Sequence, residues 1–258
     1  MRRRATPLIF CTSKTRAEVA ALRRKMGNTH PFIVENGGAI VIPAGYFRSF
    51  APTPARSTNY TLILGRSYDE LIRELREISQ RAAVDVYGFH QMSAEAVARA
   101  TGLTLQEARM AQQREAAEPF IFRNASPAKI RNFRRLAHKR GYSVQKGGRF
   151  WHFAGGHDKG LALSALIGFY RVAWGARIRT IALGDSGNDL LMLQLVDLAI
   201  LMPKPDGTYD REVTTKMPTI ARAKQPGPAG WCHALLQALR AGASVRLNRN
   251  TPTRTHGS

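Results

Sequence analysis

The fold class that the sequence predicts is α/β: an open, mainly parallel sheet module with a second α/β module inserted into it. Three stretches predict it. Residues 180–196 pass from an apolar strand, Ile181 to Leu183, through Gly184 and the loop Asp185-Ser186-Gly187-Asn188-Asp189 into helical spacing at Leu190, Leu191, Leu193 and Leu195. Residues 7–26 repeat the change from strand to helix, with the hydroxyls of Thr12 and Ser13 at the break. From Ser67 onward, helical and extended patterns alternate up to about residue 156, enough for a module of its own.

Composition bounds the rest. A chain of 258 residues with 44% hydrophobic residues can bury a real core. Two cysteines, Cys11 and Cys232, fit neither a disulfide framework nor a zinc site, so a reducing, cytoplasmic setting is expected. No apolar run approaches the ~18 residues of a membrane span, and Met1-Arg2-Arg3-Arg4 leads into no signal-peptide pattern. The net charge of +21 comes from 39 Lys and Arg against 18 Asp and Glu. Such a balance permits polyanion binding. Because the basic residues are spread along the whole chain without a nucleic-acid motif, we read them as general arginine richness plus a site for an anionic substrate. No feature specifies an oligomeric state.

In chain order, Pro7 to Cys11 reads as a strand that ends on hydroxyls before a helix over Ala17 to Met26. A hydroxyl there, with free backbone N–H groups at the helix start, makes a phosphate seat, although Thr12 or Ser13 would serve equally as an N-cap. Pro31 to Pro43 reads as a hairpin turned by Asn36 and Gly37; Glu35 is not needed for that turn and is a candidate for the crevice. Residues 48–59 read as a loop and Tyr60 to Leu64 as a strand. Ser67 and Glu70 form a capping box for a helix with Leu71, Leu75 and Ile78 inside. A strand over Val84 to Phe89 follows, then helices over Ala94 to Ala100 and Leu103 to Glu115, and a strand at Phe120 to Phe122. Next come a helix from Pro127 to Arg140 and strands near Val144 and at Phe150 to Phe153. The helix from Leu161 to Trp174 begins at Lys159, and a strand spans Leu198 to Met202. The last helix is expected over Trp231 to Leu239, and the basic, turn-rich residues 241–258 are expected to be disordered.

Several of these residues carry chemistry. Loops at the carboxyl ends of strands form the crevice of an open α/β sheet, which aims Asp185 and Asp189 into it. Carboxylates beside an Asn and a Ser suit a hard cation such as Mg²⁺; the same residues also suit a simple helix cap. Lysine at a helix start opposes the dipole unless an anion is there too, which sets Lys159 apart from the other basic residues. Arg149 and His152 stand beside a glycine pair, and an arginine fork pairs naturally with carboxylate or phosphate. A hydroxyl, a lysine and an acidic loop together supply what phosphoryl transfer needs apart from a nucleophile.

Phe-Cys-Thr-Ser-Lys-Thr-Arg, Phe-Ile-Val-Glu-Asn-Gly-Gly, Gly-Gly-Arg-Phe-Trp-His, Asp-Lys-Gly and Gly-Asp-Ser-Gly-Asn-Asp occur in one order along the chain. In that order they resemble the haloacid-dehalogenase superfamily, and within it the mannosyl-3-phosphoglycerate phosphatases. The resemblance spans roughly residues 7–240, including Ser93-Ala94-Glu95 and Arg114-Glu115. It implies a Rossmann-like core of residues 1–65 and 157–240, a cap domain of residues 66–156 that closes on the substrate, and a Mg²⁺-dependent hydrolysis of a phosphorylated sugar-glycerate. By motif it assigns Thr12 to the transferring phosphoryl group, Lys159 to its neutralisation and Asp185 to Mg²⁺. Asp189 would support the metal shell, and Ser13, Lys14, Asn188, Arg149 and His152 would contact the substrate. The family opens with a strand ending in Asp-x-Asp-x-Thr, whose first Asp is the nucleophile. This sequence has no Asp-x-Asp. We therefore expect that it starts late, lacks the first core strand and is inactive as written. The alternatives are a binding protein without catalysis, or a phosphatase for another small sugar phosphate such as glucosyl-3-phosphoglycerate.

Overall fold

The computed structural model describes residues 6–47, 59–147, 149–175 and 178–249, with side chains to residue 241. The expected loop over 48–59, apart from its last residue, and the end of the tail lie outside the described residues, as does Gly148. The chain divides into two compact units, the first ending at Ile178 and the second beginning at Arg179.

In the first unit, β1 (Phe10–Cys11), β2 (Phe32–Val34), β3 (Ala39–Pro43) and β4 (Asn59–Ile63) form one sheet in that order, and α1 (Arg16–Met26) follows β1. β1 and β2 are parallel, whereas β2–β3 and β3–β4 are antiparallel, so this sheet is mixed rather than mainly parallel. The hairpin forms where the sequence predicts it, with Val34 opposite Ala39. Its turn is tighter and odder than Asn-Gly alone: a 3-10 turn over Glu35–Gly37 in which Glu35 and Asn36 have φ of +50° and +56°. Side chains alternate across the sheet. Ile33 and Ile40 meet Ala162, Leu166 and Tyr170 of α6 (Lys159–Trp174), while Phe32, Val34 and Val41 meet Val19 of α1.

The same unit holds a second sheet of β5 (Asp85–Gly88), β6 (Ala117–Arg123), β8 (Trp151–Ala154) and β7 (Ser143–Lys146), paired in that order and antiparallel throughout. One face packs Phe120, Val144 and Phe153 against Leu71, Leu75 and Ile78 of α2 (Tyr68–Ala82) and Phe133 of α5 (Pro127–Lys139). A separate cluster joins Tyr87, Phe89, Ile121 and Phe150 to Val97 of α3 (Ala94–Thr101) and Ala108 of α4 (Leu105–Ala111). α4 stops well before Glu115, where the sequence predicts its end, because the amides of residues 115–117 bond to a side chain outside the helix.

The second unit has β9 (Ile181–Gly184), α7 (Leu190–Leu195), β10 (Leu198–Leu201), α8 (Arg211–Lys216), β11 (Ala221–Arg222) and α9 (Gly227–Arg249). Its sheet, ordered β11-β10-β9, is parallel. Ile200, Met202 and Ala223 pack on Ala234 and Ala238. α8 and β11 were not expected; both are short, and β11 is exposed, so neither has a hydrophobic period to read. α9 runs past Leu239 into the segment expected to be disordered, which follows from the Ala, Leu and Arg there and a first proline only at Pro252. No helix among the described residues is long and apolar enough to cross a membrane.

Candidate active site

The loop between β1 and α1 is built by the backbone. Thr15, not Thr12 or Ser13, is the N-cap of α1, in a reciprocal capping box with Glu18. The capping reading of Thr12 and Ser13 is thereby corrected, and their hydroxyls are released from that duty. Thr12 Oγ1 accepts from Lys14 N at 3.3 Å, Thr12 N donates to the Ile33 carbonyl at 3.1 Å, and the Thr12 carbonyl accepts from Asn36 N at 2.9 Å. Lys14 pairs with Glu18, Nζ to Oε1 at 2.9 Å, and its side chain is half exposed.

Glu35 sits behind this loop at 0% exposure. Its Oε1 accepts from Glu115 N at 2.8 Å, and its Oε2 accepts from Ala116 N at 2.9 Å and Ala117 N at 2.8 Å. Its own N–H donates to the Lys14 carbonyl at 3.0 Å, and its carbonyl accepts from His157 Nε2 at 3.1 Å. Burial pushes its carboxyl above the ordinary range, while Arg114 and the three amides pull it back. It does not face an open crevice. Further ties run beside it: Arg114 Nη1 to the Ser13 carbonyl at 2.9 Å, Thr15 Oγ1 to the Met110 carbonyl at 2.8 Å, and Arg16 to Glu115 at 2.6 Å.

The turn that carries Glu35 also reaches the start of α6. A Cβ on Gly37, which has φ +99°, would lie 2.1 Å from the Asp158 carbonyl oxygen, so only glycine permits this approach. Asp158 caps α6 through Leu161 N at 2.8 Å. Lys159 is the first residue of that helix and is 6% exposed.

His152 lies on β8, opposite Gln145 and Pro119. Its Nδ1 is buried without a hydrogen-bond partner among the described residues. Desolvation first, and then the cations of Arg114 and Lys159, bring its pKa down to about 4, so the ring is neutral near neutral pH. Arg149 is directed elsewhere: its Nη1 donates to the Ala100 carbonyl at 2.9 Å, near the C-terminus of α3. The first unit thus puts Lys159 and Arg114 within electrostatic reach of His152 and ties Arg149 to a helix end. Outside the resemblance, Arg114 carries no motif signal in the sequence, because it falls within the helix predicted over Leu103 to Glu115.

In the second unit the acidic loop is held by one of its own carboxylates. Asp189 Oδ2 accepts from Asp185 N at 2.9 Å, Ser186 N at 3.2 Å and Ser186 Oγ at 3.3 Å. Ser186 Oγ also donates to Asn188 Oδ1 at 2.6 Å. A Cβ on Gly184 would lie 2.6 Å from that of Asp189, so the glycine makes room for the acid. Asp189 is 5% exposed, and Asp185 is exposed. No group of three or more His, Cys, Asp or Glu suited to a metal occurs among the described residues. Mg²⁺ keeps several waters and takes only one or two carboxylates with phosphate oxygens, so Asp185 alone is compatible with it.

The family described as haloacid dehalogenase-like hydrolase matches residues 1–206. A glucosyl-3-phosphoglycerate/mannosyl-3-phosphoglycerate phosphatase from Methanococcoides burtonii is 39% identical over 93% of this chain and 87% of its own length. A mannosyl-3-phosphoglycerate phosphatase from Pyrococcus furiosus is 31% identical over 78% of this chain and 80% of its own. The solved structure of a haloacid dehalogenase-like hydrolase from B. subtilis covers 86% of this chain and 84% of its own, with a TM-score of 0.55 at 13% identity, a likeness of fold. The chain belongs to the haloacid dehalogenase-like hydrolases and, by family, to their phosphomonoester-hydrolysing phosphatases.

Proposed function

We propose that the protein is the scaffold of a Mg²⁺-dependent phosphatase for mannosyl-3-phosphoglycerate or glucosyl-3-phosphoglycerate, releasing the sugar-glycerate and phosphate. The observation that carries this reading is the 39% identity over 93% of the chain to a phosphatase named for both substrates. In this reading residues 66–156 are the cap, and residues 1–65 with 157–240 are the core. Thr12 holds the phosphoryl group, with Ser13 and Lys14 beside it, and Lys159, buried at a helix start where an anion is favoured, neutralises it. His152, neutral and with an unpartnered ring nitrogen, contacts a substrate hydroxyl. Arg149 acts through α3 rather than on the substrate. Asp185 holds Mg²⁺, which supplies charge for the phosphate oxygens when bound; Asp189 and Asn188 shape the loop behind it.

The chemistry needs an aspartate nucleophile, and these 258 residues contain no Asp-x-Asp. Phosphate release from the two glycosides with Mg²⁺ tests the reading. We expect no turnover above background from this chain, and turnover from a form extended at its N-terminus by an Asp-x-Asp strand. Robust turnover by the 258-residue chain would refute the nucleophile argument, and an extended form inert on both glycosides but active on another sugar phosphate would refute the substrate.

A further inference from the structure

We propose that Glu35 is a positioning residue that couples the cap segment 115–117 to the phosphate loop, so that an anion seated at residues 12–15 is felt by that segment. The inference rests on the phosphate role given to Thr12 and its neighbours, and its evidence is the set of bonds that converge on one residue.

Glu35 touches three chain segments through three different groups. Its N–H holds Lys14 of the phosphate loop. Its carbonyl holds His157, two residues before Lys159. Its carboxylate takes the amides of residues 115, 116 and 117, about eighty residues away in sequence. The residue adopts φ +50°, a left-handed conformation that an ordinary side chain rarely takes. That conformation is retained because it lets the backbone serve the loop while the side chain reaches the cap segment. Arg114 crosses in the other direction, from the cap segment to the Ser13 carbonyl. A shift of the 12–15 loop therefore moves acceptors and donors that the 110–117 segment uses.

Hydrogen exchange with orthophosphate as probe tests the coupling on the whole chain. In the unaltered protein, phosphate is expected to slow exchange at residues 12–15 and also at 115–117. Protection at 12–15 without any change at 115–117 would overturn the coupling and leave the phosphate site standing. Protection at neither would remove the phosphate role and the coupling with it. Glu35→Gln sharpens the test, since glutamine has one oxygen and one NH₂ where three amides need acceptors, so a donor must face a donor. We expect exchange at 115–117 at least tenfold faster in this variant, with α2 and α5 still protected, and the phosphate response at 115–117 lost. A glutamate that only supports the fold would leave that response intact, and a retained response in Glu35→Gln would overturn its positioning role. Should the variant fail to fold, the two-site response of the unaltered protein decides the matter.

Discussion

Two buried carboxylates in this molecule do the same chemical task at different range. Asp189 accepts from residues three and four positions before it, and Glu35 accepts from residues eighty to eighty-two positions after it. Each replaces lost water with backbone N–H groups, which is how a carboxylate tolerates burial. The difference lies in what unravels when the acid is removed. Around Asp189 the donors belong to one turn and can rearrange together or meet water. Around Glu35 they belong to a segment held in place by the rest of the first unit, so their loss leaves buried donors unpaired.

The largest expected effect follows. Glu35→Ala should destabilise the first unit by about 3–5 kcal/mol, and Asp189→Ala should cost the second by about 1–2 kcal/mol. Hydrogen exchange resolved by segment is the right measurement, because a chain of two units need not unfold in one step. Equal costs, or a larger one at Asp189, would erase the contrast between short-range and long-range anchoring.

The same contrast explains what could be read from the chain beforehand. The Asp185–Asp189 turn, the Ser67 cap and the helix beginning at Lys159 are local patterns, and local patterns are what spacing and capping rules report. Hydrophobic period marks the inner face of α2 at Leu71, Leu75 and Ile78, because that helix is amphipathic. The sequence offers Thr12 or Ser13 as the cap, whereas Glu18, three residues after Thr15, completes the capping box at Thr15. Glu35 was recognisable only as a residue the hairpin did not need. Its partners are fixed by the return of the chain at 115–117, and a pairing across eighty residues leaves no spacing to find. α4 was overextended for the same reason: the 112–117 stretch has helical composition, and tertiary bonds to Glu35 override it.

pH separates Glu35 from the buried histidines of the first unit, with an intermediate effect. His152 has a folded pKa of about 4 against an ordinary 6.5, so the unfolded chain binds more protons between those values. Stability therefore falls as pH drops from 6.5 towards 4, and His157, also lowered by burial, adds in the same direction. The drop from 6.5 to about 4 sets an upper limit of about 3 kcal/mol for His152. Glu35 has the opposite sign: its raised pKa favours the folded state at low pH and costs stability as pH rises past 4.5. A denaturation series from pH 4 to 7 should show a net loss on the acid side that His152→Asn reduces and Glu35→Gln steepens. If His152→Asn left the profile unchanged, the buried-neutral histidine would be ruled out.

The smallest effect tests whether the long-range ties beside Glu35 are equivalent. Arg16 and Glu115 make a 2.6 Å pair that joins the same two regions, but their side chains are 34% and 35% exposed. Water competes for both partners, and holding two long side chains in register costs entropy, so the pair is worth no more than about 1 kcal/mol. Arg16→Gln should therefore shift stability by less than that, weaken further in effect at high salt, and leave exchange at residues 115–117 within about twofold of the unaltered protein. The geometry of the two ties is similar in length, so a large effect at Arg16 would mean that proximity alone, and not the burial of the acceptor, decides which contact holds the segment.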